Sequence, residues 1–236
     1  KQYFQTPAWM QALIAKGALG QKAGAGIFRK LGKDIQVIDL AKQDYRTATG
    51  EAAPELVEIL KIKNPAEKFS KLRASSHPQA QFLWACFRDL FHYSAFHLES
   101  IADTARDVDF AIRWGYGWNL GPFETWQAAG WQVVAGWIAE DISAGKAMSS
   151  APMPAWVTDG RNGVHEAAGS WSPGRKAVVP RSSNPVYARQ RFPDPVLGEA
   201  FAPGETVFET DAVRLWHDGD GIAVLSFKTK MHTVSD

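Results

Sequence analysis

Asp107-Val-Asp-Phe-Ala-Ile-Arg-Trp-Gly-Tyr-Gly-Trp-Asn-Leu-Gly-Pro-Phe-Glu-Thr-Trp-Gln-Ala-Ala-Gly130 decides how this chain is read. Val108, Phe110, Ala111 and Trp114 recur at helical spacing, and Gly115 and Gly117 can take the positive φ that ends a helix. Pro122 stands where a second helix starts, since the N–H that proline lacks would be unpaired there. The tract therefore predicts two helices joined by an aromatic, glycine-rich elbow.

Outward from the elbow, the same physics predicts more helices. One begins at Pro7 and reaches Ala15; two short ones cover 54–61 and 65–75, the second opened by Asn64 as N-cap and Pro65 in the first turn. A long helix runs from Pro78 to about Ala102. Its Phe82, Leu83, Trp84, Phe87, Leu90, Phe91, Tyr93, Phe96, Leu98 and Ile101 wrap most of the way round, which predicts burial among neighbours or in a subunit interface. The helix opened by Pro122 extends to Ser143, with Gly145 as terminator and Ser149-Ser-Ala-Pro-Met-Pro154 as a loop. Gly26 to Arg29 and Ile35 to Leu40 read as a hairpin, and residues 180–206, rich in proline, as an extended linker.

The chain also repeats itself. Thr6-Pro-Ala-Trp-Met10 returns as Met153-Pro-Ala-Trp-Val157, and Ala25-Gly-Ile-Phe28 as Ala168-Gly-Ser-Trp171. A basic turn and a β-branched run follow in each copy, Ile35-Gln-Val-Ile38 and Ala177-Val-Val179.

Three tracts carry a family resemblance. The elbow resembles the C-terminal helical domain of 3-hydroxyacyl-CoA dehydrogenases, above all the long bacterial fatty-acid oxidation enzymes fused to an enoyl-CoA hydratase of the crotonase type. In that family a Trp-Asp pair follows Gly-Pro-Phe; Gln127 stands at the Asp position here, which predicts packing without a polar role. Lys16-Gly-Ala-Leu-Gly-Gln-Lys-Ala-Gly-Ala-Gly-Ile-Phe28 is similar to the segment closing the first helical module. Val213-Arg-Leu-Trp-His-Asp-Gly-Asp-Gly-Ile-Ala-Val-Leu-Ser-Phe-Lys-Thr-Lys-Met-His232 is similar to the opening hairpin of a crotonase domain.

The resemblance implies a mainly α fold of the 6-phosphogluconate-dehydrogenase C-terminal type, with short hairpins and a short β segment at the end. Residues 1–50 would be the tail of a first helical module, 51–179 a second module, 180–206 a linker, and 207–236 the first two strands of a truncated crotonase-like domain. Such a piece would supply the helical acyl-CoA cleft and dimerisation scaffold of an NAD-dependent enzyme of fatty-acid β-oxidation. The nucleotide-binding domain, the catalytic His and Glu, and the hydratase residues would lie outside it. It would then bind no NAD and be inactive alone, and residues from about 207 onward would be disordered or paired in a non-native way. The contrasting reading is a freestanding aromatic-rich module that binds a protein or carbohydrate partner.

Composition limits the alternatives. The 236 residues suffice for a sizeable core, with 45% hydrophobic and 22% charged content. A net charge of +1 gives no electrostatic case for nucleic acid or a membrane surface. The first residue is Lys1 with no secretory leader after it, and Cys86 is the single cysteine. These features suit a trimmed piece of a cytosolic protein in a reducing compartment. The 10 Trp and 13 Phe fall mostly within helical apolar patterns, as with Trp84, Phe87, Phe91, Trp131 and Trp137, which favours packing over a ligand platform.

No residue is assigned to catalysis, cofactor binding or a metal. Gly17 to Gly26 with Lys22 fits neither phosphate-cradling spacing and reads as a helix end running into a hairpin. His92 and His97 lie about 140° apart round a helix, too far to grip one ion together. Cys86 amid Phe82, Trp84 and Phe87 reads as an inert small hydrophobe. Asp103, Asp107 and Asp109 read as caps near a helix start, and Glu124 as a favourable first-turn carboxylate. Lys228 and Lys230 read as a solvated strand end.

Overall fold

A computed structural model describes residues 5–184, 194–199 and 204–233. Among these the chain is mainly α with small antiparallel sheets. The elements are α1 (Ala8–Ala15), β1 (Phe28–Leu31), β2 (Asp34–Asp39), β3 (Asp44–Thr47), α2 (Pro54–Lys61), α3 (Pro65–Ala74), α4 (Pro78–Ile101), α5 (Ala105–Tyr116) and α6 (Pro122–Ser143). Then come β4 (His165–Glu166), β5 (Gly169–Ser172), β6 (Ala177–Val179), β7 (Glu205–Glu209), β8 (Val213–His217) and β9 (Ala223–Phe227). Each three-stranded sheet is an antiparallel meander in chain order.

The chain divides into two compact units, residues 1–96 with 129–161, and residues 97–128 with 162–236. In the first, Asn64 accepts from the Glu67 N–H at 3.1 Å and opens α3. Leu56, Ile59, Leu72 and Ala80 form one buried cluster, and Phe69, Phe87 and Phe91 stack edge and tilt with centroids 5.0 to 5.9 Å apart. Trp84 is buried and donates its Nε1–H to Asp141 Oδ2 at 2.8 Å; Arg88 and Arg73 also face the Asp141 carboxylate, at 3.4 and 3.2 Å. A buried carboxylate is tolerable only with such partners.

In the second unit, β4–β6 packs against α5, and β7–β9 makes its own meander with a bulge between Thr206 and Phe208. The internal repeat has a structural counterpart: Phe28 pairs across strands with Val37, and Trp171 with Val178. Both copies place an aromatic opposite a valine at the same step of a meander.

Several expectations need correction. Gly115 stays helical, and only Gly117, at φ 68°, turns left-handed and ends α5. The backbone of α6 is interrupted at Gly130, with φ 103° and ψ 93°. Helix α4 is not covered all round in this chain: Phe82, Tyr93, Phe96 and Ile101 are exposed. A third strand, Asp44–Thr47, follows the first hairpin; its polar residues hide the period-two signal, and Asp39 sets the turn by accepting from the Ala41 and Lys42 N–H groups. The C-terminal segment holds three strands where two were expected, and they pair in an ordered meander. Within 180–206, residues 185–193 and 200–203 lie outside the described residues, whereas Asp194 is buried and Pro195–Leu197 forms a 3-10 turn.

Candidate functional site

The elbow between α5 and α6 concentrates the buried polar groups of the second unit. Gly121 occupies the N-cap position of α6 but has no side chain to accept the helix's unpaired N–H groups. Asp109, from the preceding helix, does it instead: its Oδ1 accepts from Phe123 N–H at 2.8 Å and its Oδ2 from Glu124 N–H at 3.2 Å. A Cβ on Gly121 would meet Asp109 Cα and Oδ1 at 2.3 Å, so only glycine admits the carboxylate. Glu124 closes the reciprocal half of the cap, accepting from the Gly121 N–H at 2.7 Å and from Arg113 at 3.0 Å.

Sheet β4–β6 is tied to this elbow. His165 Nε2 lies 2.6 Å from Asp109 Oδ2 and its Nδ1 lies 2.8 Å from Ser170 Oγ. Arg106 donates from Nε to Ser170 Oγ at 3.2 Å and from its guanidinium to Asp194 at 3.0 Å. Gln127 fixes the strand that carries His165: its Oε1 accepts from Val164 and His165 N–H at 2.8 and 2.9 Å, and its Nε2 donates to His165 O at 2.9 Å. The expectation that Gln127 has no polar role is therefore wrong. A carboxylate could accept the same two bonds but not donate the third. A Cβ on Gly163 would meet the Gln127 amide at 2.2 Å, so this glycine too marks a close approach.

Burial pushes the Asp109 carboxyl up from its ordinary range, against the downward pull of His165 and the two capping N–H groups. Burial raises Glu124 as well, and the neighbouring Asp109 charge adds to it. These are large perturbations inside a closed structural network. Ser170, His165 and Asp109 follow one another as in a hydrolase triad, yet the ring is turned, with the carboxylate on Nε2. Ser170 is only 2% exposed and already accepts from Arg106, so it has no approach for a substrate.

The other candidate residues fall as follows. Asp107 accepts from the Thr104 N–H and hydroxyl, both at 2.9 Å, and caps α5 as expected. Asp109 sits within α5 and caps the next helix, which corrects its assignment to its own helix start. Asp103 is 3.8 Å from Arg175 at the surface. His92 is buried and His97 half-buried. Cys86 is exposed, not packed, because it faces outward on α4; desolvation and then the Asp89 charge still push its thiol up, which keeps it unreactive. Lys228 pairs with Glu209 at 2.9 Å.

An open groove of about 450 Å³ lies beside α5, lined by Ile101, Ala102, Val108, Ala111 and Ile112 with Asp103 and Asp107 at its edge. Trp114, Tyr116 and Trp118 are 56%, 74% and 43% exposed. A dinucleotide cradle needs a parallel strand–loop–helix unit. Among the described residues every paired strand is antiparallel, and the Gly17–Gly26 loop joins α1 to a hairpin, so this part of the chain does not fit NAD.

The chain is similar to a 3-hydroxyacyl-CoA dehydrogenase. A Bacillus subtilis protein named as a probable 3-hydroxyacyl-CoA dehydrogenase is 33% identical over 159 residues, covering 67% of this chain and 19% of the relative. A Rickettsia felis protein named as a fatty acid oxidation complex trifunctional enzyme is 26% identical over 141 residues, covering 57% of this chain and 18% of the relative. The chain thus spans about a fifth of the length of these curated relatives. No family model matches the chain, and no solved structure does. Among the described residues no helix is long and apolar enough to cross a membrane.

Proposed function

We propose that this chain is a helical scaffold piece of an NAD-dependent 3-hydroxyacyl-CoA dehydrogenase of fatty-acid β-oxidation, and that it has no activity alone. The observation that carries the reading is the similarity to the Bacillus subtilis relative over 159 residues, joined to an elbow whose polar groups are spent on capping and strand docking. In this reading the fold is of the 6-phosphogluconate-dehydrogenase C-terminal type. Residues 1–50 close a first module, 51–179 form a second, 180–206 link, and 207–236 open a crotonase-like domain. The Phe28/Val37 and Trp171/Val178 pairs support two tandem modules.

The scaffold would border the acyl-CoA cleft of a cytosolic parent and contribute to its dimer contact. The exposed Phe82, Tyr93 and Phe96 on α4 support a covered interface there. NAD would supply hydride transfer in the parent, held by residues outside this chain. A coupled spectrophotometric assay with acetoacetyl-CoA and NADH tests the claim: no turnover is expected from the isolated chain, and measurable NADH oxidation would contradict it.

The exposed Trp114, Tyr116 and Trp118 favour a second reading, an aromatic interaction module that binds a protein or carbohydrate. A glycan array and a pull-down with the Trp114→Ala variant as control separate the two, since a scaffold piece would give no signal dependent on Trp114.

A further inference from the structure

The Asp109–His165 contact is a buried proton-bearing pair at the point where sheet β4–β6 meets α5, and the surrounding charges do not cancel unless it holds a second proton. The side chains of Asp109 and His165 are each 1% exposed. The ionisable groups around the pair are Arg106 and Arg113 on α5, Glu124 on α6, and Asp194 before the 3-10 turn, with Arg181 and Glu199 beyond. Arg106 is matched by Asp194 at 3.0 Å and Arg181 by Glu199 at 2.8 Å. Two carboxylates, Asp109 and Glu124, are left against one guanidinium, Arg113.

We propose that this cluster is a proton-operated latch: with the sheet seated, the Asp109–His165 pair holds two protons, one in the Oδ2–Nε2 contact and one on Nδ1, and loss of the second loosens the β4–β5 hairpin from α5. With two protons the buried charges of Asp109, Glu124, Arg113 and His165 sum to zero. Nδ1–H then donates to Ser170 Oγ. With one proton, Nδ1 accepts from the Ser170 hydroxyl and the cluster carries an uncompensated negative charge in a dry site.

The opposing effect is that the two-proton state takes away the acceptor of the Ser170 hydroxyl. An unsatisfied hydroxyl costs less than an unpaired buried charge, so charge decides the sign. The upward displacement of both the Asp109 and Glu124 carboxyls by burial agrees with a site that draws in a proton. The latch is therefore closed at lower pH and opens as pH rises and the proton leaves.

Nitrogen-15 labelling of the histidine rings in the full chain reads the proton on Nδ1 directly. His165→Gln assigns the resonance; if that variant does not fold, Ser170→Ala identifies it through the change at Nδ1 alone. The expected result at pH 7 is an Nδ1–H on His165, lost at higher pH together with a rise in amide exchange, corrected for its intrinsic pH dependence, across residues 164–172. Glu124→Gln removes one buried negative charge and is expected to bring that loss down by about one pH unit or more. An Nδ1 without a proton at pH 7, or a transition that Glu124→Gln leaves in place, would overturn the proposal.

Discussion

Asp109 caps a helix to which it does not belong, and Gly121 is the residue that lets it. The carboxylate occupies the space of the side chain that an N-cap serine or aspartate would supply, 2.3 Å from where a Gly121 Cβ would be. One contact thus joins the end of one helical segment to the start of the next and holds His165 on its other side.

Gly121→Ala is predicted to be among the most damaging single-atom additions in the chain. The methyl group must displace Asp109, which breaks two capping bonds and the His165 contact. A loss of about 3–5 kcal/mol is expected in urea denaturation. A loss under about 1 kcal/mol would show that the helix entry adapts freely.

Gln127→Ala leaves the Val164 and His165 N–H groups without their acceptor. Each buried orphan costs about 1–3 kcal/mol, so the expected total is about 2–5 kcal/mol. Amide exchange at Val164 and His165 should accelerate more than at Val178 on the neighbouring strand. Equal acceleration would mean that Gln127 acts only through global stability.

Sequence periodicity suffices for helix positions because capping and apolar spacing are local: Asn64-Pro65, Pro122 and Gly145 each end or begin a helix where their chemistry requires it. Gln127 and Asp109 were not legible in the same way. Their partners lie 14 to 56 residues off in sequence, and neither period nor spacing reports such a meeting. The glycines were the available signal, since Gly121 and Gly163 stand where another residue approaches. Burial of α4 was overread for a related reason. Aromatic content shows that a face is apolar, not that a neighbour covers it, as Phe82 and Tyr93 demonstrate.

The pH dependence of stability should carry the sign of raised carboxylates. Asp109 and Glu124 bind protons more tightly when folded, so their contribution is greatest below the ordinary carboxylate range and is lost as pH rises through their raised folded values. Asp39, Asp159, Glu199 and Glu209 are displaced downward and act oppositely, but they cancel when wild type is compared with Asp109→Asn. The stability gap between these two proteins should narrow from about pH 4 to pH 8. A widening gap would contradict the assignment.

In the first unit, Asp141→Ala removes the shared acceptor of Trp84, Arg88 and Arg73 and leaves Arg88 buried. A cost of about 3–5 kcal/mol is expected in thermal and chemical unfolding. Glu140→Ala removes an exposed partner of Arg73 and should cost under about 1 kcal/mol. Similar costs for the two would show that the buried network has no special weight.

Calorimetric titration of the intact 236-residue chain with NADH, and separately with acetoacetyl-CoA, tests the scaffold account most directly. No heat of binding with either ligand is predicted. Tight NADH binding would contradict it, because it would require a nucleotide site within a chain read here as structural.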